Sequence, residues 1–252
     1  MEEINYTKNE IDKLEVFNKG GYEGRILVYN DELLIKVFRP FLKDVLDFEN
    51  KKMKLIRLNE KNINDRVLVK PQTLVNVDGN FAGYVMKKIN EGKTIDSFHD
   101  FKTLLNLYKK LFEKMELIHN NNIIVGDVKH ANILVGDFEP VFIDVDSMGV
   151  DELEMDHKDF RTGISKAKPN IHAKDINNDE REIDKLKLLS CFIHSINQNR
   201  GTIYQRLMES DLSQNFKNEA MKILGTDYNL NISKNIHQLL EDEIKKQDRR
   251  KL

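Results

Sequence analysis

The sequence IIVGDVKHANILVGDFEPVFID occupies residues 123–144 and combines short apolar runs with a few polar residues. The runs at 133–135 and 141–143 predict two short strands, and Gly136-Asp137 between them predicts a tight turn. Four polar residues lie around these strands within eighteen positions: Asp127, Lys129, Asn132 and Asp144. Strand ends and tight loops fix a side chain while leaving it in contact with solvent, so this stretch is a candidate catalytic centre.

The types of these polar residues indicate the chemistry. Asn132 and Asp144 offer an amide oxygen and a carboxylate, which are ligands that a hard cation such as Mg²⁺ prefers. Asp127 is a separate carboxylate that can accept the proton of a hydroxyl group. We therefore expect a metal site at Asn132 and Asp144 beside a general base at Asp127.

The hydrophobic pattern changes near residue 95. Before it, short β-branched runs are broken by Gly, Asn and Asp, whereas helical periodicity dominates after it. Predicted strands cover 15–19, 24–29, 32–38, 67–69, 74–77 and 81–87, and predicted helices cover 44–58, 97–120 and 182–197, with one or two more in the tail. The prediction is an α+β fold with two lobes: a small β-rich lobe, residues 1–89, and a larger α-helical lobe, residues 90–252.

The composition excludes several classes of protein. The 252 residues include 40 Lys and Arg against 42 Asp and Glu, which leaves no basic excess for nucleic-acid binding by bulk charge. A hydrophobic fraction of 40% is enough for a core. The acidic start is unlike a secretory signal, no apolar run approaches the ~20 residues of a membrane span, and Cys191 stands alone. We expect a cytoplasmic protein with no nucleic-acid or membrane partner.

The spacing within two short motifs resembles the catalytic core of the protein-kinase-like superfamily. In the first motif, VGDVKHAN at 125–132, Asn132 lies five positions after Asp127, and IDVD at 143–146 follows this motif. The match is similar to a compact bacterial-type Ser/Thr protein kinase in which Gly126 replaces the arginine of the catalytic loop. This resemblance implies a bilobal kinase-like fold.

The N-terminal half resembles the phosphate-binding parts of the same family. KGGYEGRI at 19–26 is similar to the kinase glycine-rich loop with Lys19 in place of the first glycine. The resemblance implies that four residues of this loop contact the nucleotide: Gly20, Gly21, Gly24 and Ile26. It makes Lys36 the strand lysine that contacts the α- and β-phosphates. Glu49 becomes the ion-pair partner of Lys36, with Asp47 as a competitor.

VMKKI at 85–89 resembles the hinge that holds adenine between the lobes. By this resemblance Met86 is the gatekeeper, and the backbone of Lys87 and Ile89 binds the adenine ring. Leu134 would form the floor of the adenine pocket.

The roles implied by the resemblance form one mechanism with Mg-ATP. Asn132 and Asp144 would hold Mg²⁺, with Mn²⁺ as an alternative, and Lys36 would position the phosphates. Asp127 would accept the proton of the acceptor hydroxyl, while Lys129 would stabilise the γ-phosphoryl group in transfer.

The chain also departs from the family pattern. Gly126 replaces the arginine that reads a phosphate on the activation loop, so we expect activity to be independent of such phosphorylation. Asp146 replaces the glycine of Asp-Phe-Gly, and no Ala-Pro-Glu lies between residues 147 and 181. Asp184 matches the aspartate that braces the catalytic loop.

Three functions stay open. Lys129 favours a Ser/Thr protein kinase with a protein acceptor. Gly126 before Asp127 favours a small-molecule kinase of the aminoglycoside or choline type. A pseudokinase that binds nucleotide without turnover is the third, because Leu34, Lys19 and Asp146 depart from the pattern. Each element alone also has an ordinary explanation, such as a hairpin turn for the glycines or a solvated helix face for Glu49.

Overall fold

The computed structural model describes residues 1–18, 23–40, 47–156, 180–198, 201–225 and 232–249. The strands in these residues are β1 (Glu2–Tyr6), β2 (Val16–Asn18), β3 (Gly24–Val28), β4 (Leu33–Phe38), β5 (Pro71–Val77), β6 (Asn80–Lys87), β7 (Lys93–Thr94), β8 (Ile123–Ile124), β9 (Ile133–Gly136), β10 (Glu139–Phe142) and β11 (Gly149–Val150). The helices are α1 (Lys8–Ile11), α2 (Phe48–Glu60), α3 (Phe101–Asn120), α4 (Glu180–Ile196), α5 (Ile203–Glu209), α6 (Gln214–Gly225) and α7 (Ile232–Arg249). Single 3₁₀ turns occupy Ile95–Ser97, His130–Asn132 and Val145–Ser147.

The N-terminal part of the described chain is a sheet with strand order β1-β5-β6-β4-β3-β2. Its β2-β3-β4 part is an antiparallel meander, as predicted. Asn30 makes the turn before β4, because its side-chain oxygen accepts from the N–H groups of Glu32 and Leu33 at 3.0 and 2.9 Å. Asp78 and Gly79 form the predicted hairpin turn between β5 and β6, and both have positive φ angles.

Four strands in the described residues, β1, β7, β8 and β11, were not predicted, and one predicted strand is wrong. β1 was not expected, since its sequence EEINY is mostly polar. It pairs in parallel with β5, and only Ile4 and Tyr6 pack against the sheet core. The predicted strand at 67–69 is wrong: Leu68 forms a single bridge to Phe142. The N–H of Val67 donates to the carbonyl of Asn64 in a turn, so the pairing with β10 does not extend into a strand.

Helices dominate the second part of the described chain. Helix α3 begins after Asp100, whose carboxylate accepts from the N–H of Thr103 at 2.7 Å. Its apolar face packs against α4, where the rings of Tyr108 and Phe192 lie 5.1 Å apart. The tail contributes three helices, where one or two were predicted. The architecture is therefore α+β, with an N-terminal sheet and a helical C-terminal region.

Two small sheets position the candidate site, in strand orders β10-β9-β7 and β11-β8. The β9-β10 hairpin pairs Ile133 with Phe142, and the N–H of Ile143 donates to the carbonyl of Asn132 at 3.0 Å. This pairing brings the segment before β9 next to the segment after β10. Among the described residues, no helix has the length and apolar character needed to cross a membrane.

Candidate active site

The loop between β8 and β9 brings three predicted site residues together. Lys129 Nζ donates to Asp127 Oδ2 at 2.5 Å, and Asn132 Nδ2 donates to the same oxygen at 3.1 Å. The side chain of Asp127 is 21% exposed, so its carboxylate can be reached from solvent. A carboxylate, an ammonium and an amide therefore meet in one accessible place, which we call the catalytic loop (residues 125–132).

The backbone of the catalytic loop is fixed from α4. Asp184, which is buried, accepts from the N–H groups of Val125 and Gly126 at 2.7 and 2.9 Å. His119 Nε2 lies 3.1 Å from the same carboxylate, and Lys187 Nζ donates to the carbonyl of Gly126 at 2.5 Å. Backbone groups held in this way give the loop one geometry, which is the bracing role that the resemblance implies for Asp184.

Gly126 also has a local structural reason. Its φ angle is 71°, in the left-handed region that favours glycine. A Cβ atom at this position would lie 2.7 Å from the sulfur of Met155. Any side chain at position 126, including arginine, would therefore require the backbone or Met155 to move.

Lys36 links the N-terminal sheet to the segment after β10. Its side chain is almost fully buried, and its ammonium donates to Asp144 and, at 2.5 Å, to Asp146. Asp144 has a φ angle of 66°, and the 3₁₀ turn Val145–Ser147 follows it directly. This change of direction lets both carboxylates reach the same ammonium.

The charges of this group follow from burial and pairing. Burial alone lowers the pKa of Lys36, but the carboxylates of Asp146 and Asp144 outweigh it and raise the pKa above its ordinary value. Burial raises the pKa of Asp146, but the ammonium groups of Lys36 and Lys51 outweigh it and hold the pKa well below its ordinary value. Burial and the neighbouring Asp146 raise the pKa of Asp144. Asp146 is thus the firmly ionised partner of Lys36.

The structure does not bring Glu49 to Lys36. Glu49 is exposed in the first turn of α2. Asp47 caps this helix by accepting from the N–H of Asn50 at 3.0 Å. The carboxylates on Lys36 come from Asp144 and Asp146. Helix α2 instead presents Lys51, whose Nζ lies 2.7 Å from Asp146 Oδ2. The expected pairing of Lys36 with Glu49 is therefore absent among the described residues.

Sequence reasoning missed two buried lysines of α2. Lys51 and Lys54 are each 1% exposed, and both pair with Asp156. We call Lys36, Lys51, Lys54, Asp146 and Asp156 the ion cluster. A signal was present in the sequence, because residues 51, 54, 55 and 58 repeat at the spacing of one helix face. Because two of these four positions are lysine, the buried face does not show as a row of apolar residues.

The predicted nucleotide contacts on the sheet are only partly described. Gly24 and Ile26 lie in β3, opposite Phe38 and Lys36 of β4. A Cβ atom on Gly24 would lie 2.7 Å from the carbonyl oxygen of Val37, so glycine permits the close approach of the two strands. Gly20 and Gly21 lie outside the described residues. Contact of these residues with phosphate stays a prediction.

The predicted adenine-binding residues lie at the end of β6 and in β9. Met86 pairs with Leu34 of β4, and Leu134 is half-buried in β9. Lys87 and Ile89 line a cavity of about 530 Å³, whose walls also include Arg66, Asp137 and Glu139 but none of the ion cluster. Adenine binding by these residues stays a prediction.

The oxygen atoms present fit a hard divalent cation. The amide nitrogen of Asn132 donates to Asp127, which leaves its amide oxygen as the ligand atom, and the side chain of Asp144 is 35% exposed. Within the described ranges no group of three or more His, Cys, Asp or Glu could hold a metal ion alone. Mg²⁺ commonly binds through one or two protein ligands together with water and substrate phosphates, which matches this donor set.

Comparison with known proteins gives a limited similarity. No family model matches the chain. Over 64 residues the chain is 39% identical to the RIO-type serine/threonine-protein kinase Rio1 of Methanocaldococcus jannaschii. This match covers 25% of the chain and 20% of the relative, so the similar region spans about a fifth of that protein. The similarity is therefore confined to a quarter of this chain, and the relative is named as a serine/threonine-protein kinase.

Proposed function

We propose that this chain is a Ser/Thr protein kinase that transfers the γ-phosphoryl group of ATP to a protein hydroxyl. The observation that carries the proposal is the contact of Lys36, from the N-terminal sheet, with Asp144 beside the Asp127 loop. The backbone hydrogen bond from Ile143 to Asn132 supports the proposal further, because it fixes the residue before Asp144 against the Asp127 loop.

The proposed ATP site lies between the lobes, with the boundary at residues 89 and 90. Gly20, Gly21, Gly24 and Ile26 would cover the phosphates, and Lys36 would position the α- and β-phosphates. The adenine ring would lie against Met86, the backbone of Lys87 and Ile89, and Leu134. Mg²⁺ bound at Asn132 and Asp144 would offset the charge that develops on the phosphate oxygens.

The proposed chemistry uses residues of the catalytic loop. The acceptor oxygen forms a bond to the γ-phosphorus while the bond from this phosphorus to the departing ADP oxygen breaks. Asp127 accepts the hydroxyl proton, and its 21% exposed side chain leaves room for an acceptor to approach. Lys129, 2.5 Å from Asp127, carries the positive charge that would stabilise the transferring group.

Lys129 favours Ser/Thr protein acceptors by its resemblance to Ser/Thr protein kinases, which carry a lysine at this position. The second candidate is a small-molecule kinase, which the Gly126-Asp127 pair favours by its resemblance to the aminoglycoside and choline type. A pseudokinase is the third outcome that the test must separate.

The test supplies the full chain with Mg-ATP labelled on the γ-phosphate and three sets of acceptors: Ser/Thr peptides, matched Tyr peptides, and small hydroxyl compounds. We expect label on the Ser/Thr peptides alone and none with Asp127→Asn. Label only on small hydroxyl compounds would replace the proposal with the second candidate. Binding of Mg-ADP without transfer to any acceptor would indicate a pseudokinase.

A further inference from the structure

Asp146 carries three hydrogen bonds although its side chain is completely buried. Lys36 Nζ and the hydroxyl of Tyr84 donate to Oδ1 at 2.5 and 3.0 Å, and Lys51 Nζ donates to Oδ2 at 2.7 Å. The three donors come from β4, β6 and α2. One carboxylate therefore joins two strands of the sheet and helix α2 to the segment that follows β10.

The sign of the charge on α2 makes this carboxylate necessary. The residue of α2 that contacts Asp146 is Lys51, whereas the acidic residue Glu49 is exposed to solvent. A helix that contributes an ammonium cannot neutralise Lys36. A buried ammonium without an anionic partner is costly, so the negative charge has to come from another segment.

Asp144 alone does not meet this need under the proposed function. Its carboxylate is 35% exposed and is the proposed metal ligand, so it is shared between Lys36 and the cation. Asp146 is enclosed, with both oxygens occupied by donors from the protein. It can therefore hold Lys36 while Asp144 turns to the metal.

We propose that Asp146 is the positioning residue that holds Lys36 for phosphate contact, in the place that a helix carboxylate would otherwise take. Lys51 completes the arrangement by tying α2 to the opposite oxygen of Asp146. The charge pattern is thus reversed, with the helix supplying the cation and the metal-binding segment supplying the anion. This inference rests on the proposed phosphotransferase function.

The first test measures, without ATP, how strongly the protein protects the Lys36 ammonium from chemical modification. Lysines of the full chain are methylated with formaldehyde and borohydride, and the modified residues are located by peptide mass spectrometry. We expect Lys36 to be protected in the wild type and in Asp151→Asn, which removes a carboxylate that pairs with Lys61 on the surface. In Asp146→Asn, we expect several-fold more labelling of Lys36. Protection of Lys36 in a folded Asp146→Asn protein would overturn the proposal.

The second test separates positioning from a purely structural role. We expect Asp146→Asn to lower kcat by about 10²-fold, with a smaller rise in KM for ATP, because Lys36 is misplaced. A structural role would lower the melting temperature and leave kcat per folded molecule unchanged, which would contradict the proposal. If the wild type transfers no phosphoryl group, the proposed function fails, and the labelling result still decides whether Asp146 holds Lys36.

A charge-balanced variant covers the case in which Asp146→Asn does not fold. Asp146→Asn with Lys51→Met removes one anion and one cation together, and the pair of Lys36 with Asp144 remains. We expect this double variant to fold, to label at Lys36 and to lose kcat. Protection of Lys36 with wild-type kcat in this variant would also overturn the proposal.

Discussion

The catalytic loop and the ion cluster both contain charged side chains, but water reaches them very differently. In the loop, the side chains of Asp127 and Lys129 are 21% and 52% exposed. In the cluster, Lys51 is 1% exposed and Asp146 is completely buried. Charged groups in contact with water can change partners at little cost, whereas buried ones depend on the partners they have. This difference is the one that the proposed function requires, in which the loop takes part in phosphoryl transfer and the cluster holds Lys36 in place.

The largest effect is expected from a substitution in the loop, and it should change phosphoryl transfer without changing stability. Asp127→Asn keeps the size of the side chain but removes the base, so we expect transfer to fall by about 10²–10⁴-fold. The free energy of unfolding, measured in urea, should stay within about 0.5 kcal/mol of the wild type. A variant that loses activity only because it unfolds would break the distinction between the two regions.

For Lys51 in the cluster, the expected effect is on stability. Lys51→Met leaves Asp146 and Asp156 each without one cation, and we expect a loss of about 3 kcal/mol in the free energy of unfolding. Lys52→Met is the matched control, because Lys52 is one residue away and pairs with Glu3 at the surface. It should cost below about 1 kcal/mol. Equal losses in both variants would show that burial does not distinguish Lys51.

Gly126 tests how rigidly the catalytic loop is held. Gly126→Ala should destabilise the fold by about 1–3 kcal/mol and reduce transfer, because the new Cβ meets Met155 on a left-handed backbone. Gly79→Ala is the control, since Gly79 also has a positive φ but nothing lies within 4 Å of the added Cβ. Urea denaturation of both variants separates the packing clash from the backbone strain. A loss no larger at Gly126 than at Gly79 would argue against the clash.

The smallest effect is expected away from both regions, at Glu139. Burial raises the pKa of Glu139, but hydrogen bonds from Lys110 and Lys114 outweigh it, and the pKa lies below its ordinary value of 4.5. The lowered pKa stabilises the fold above pH 4.5, and this contribution is lost as the pH falls below that value. Glu139→Gln should therefore be less stable than the wild type at pH 7, by under about 1 kcal/mol because the side chain is partly exposed. The difference should shrink in acid, and a constant difference from pH 7 to pH 3 would contradict the assignment.

The same contrast explains what the sequence could predict. Asp127, Lys129 and Asn132 lie within six positions, so their contacts follow from local spacing. The pairing of β9 with β10 then places the residue before Asp144 beside Asn132. This hairpin was predicted from the two apolar runs and the Gly136-Asp137 turn between them. The meander β2-β3-β4 and the long helix α3 were predicted for the same reason.

Contacts between distant segments were harder to predict. Lys51 and Asp146 are 95 positions apart, and their pairing depends on the rotation of α2 against the sheet. The resemblance placed a carboxylate at Glu49, two positions away and on the solvent side of the helix. Strand β1 was missed because an edge strand buries so few side chains that its sequence shows little pattern.

The most direct test of the central claim is the intact mass of the purified protein before and after incubation with Mg-ATP, beside Asp127→Asn. The proposed function predicts added phosphoryl groups in the wild type and none in the variant, because the base is missing there. An unchanged wild-type mass would contradict a protein kinase acting on its own chain. Equal phosphorylation of both proteins would contradict the role of Asp127.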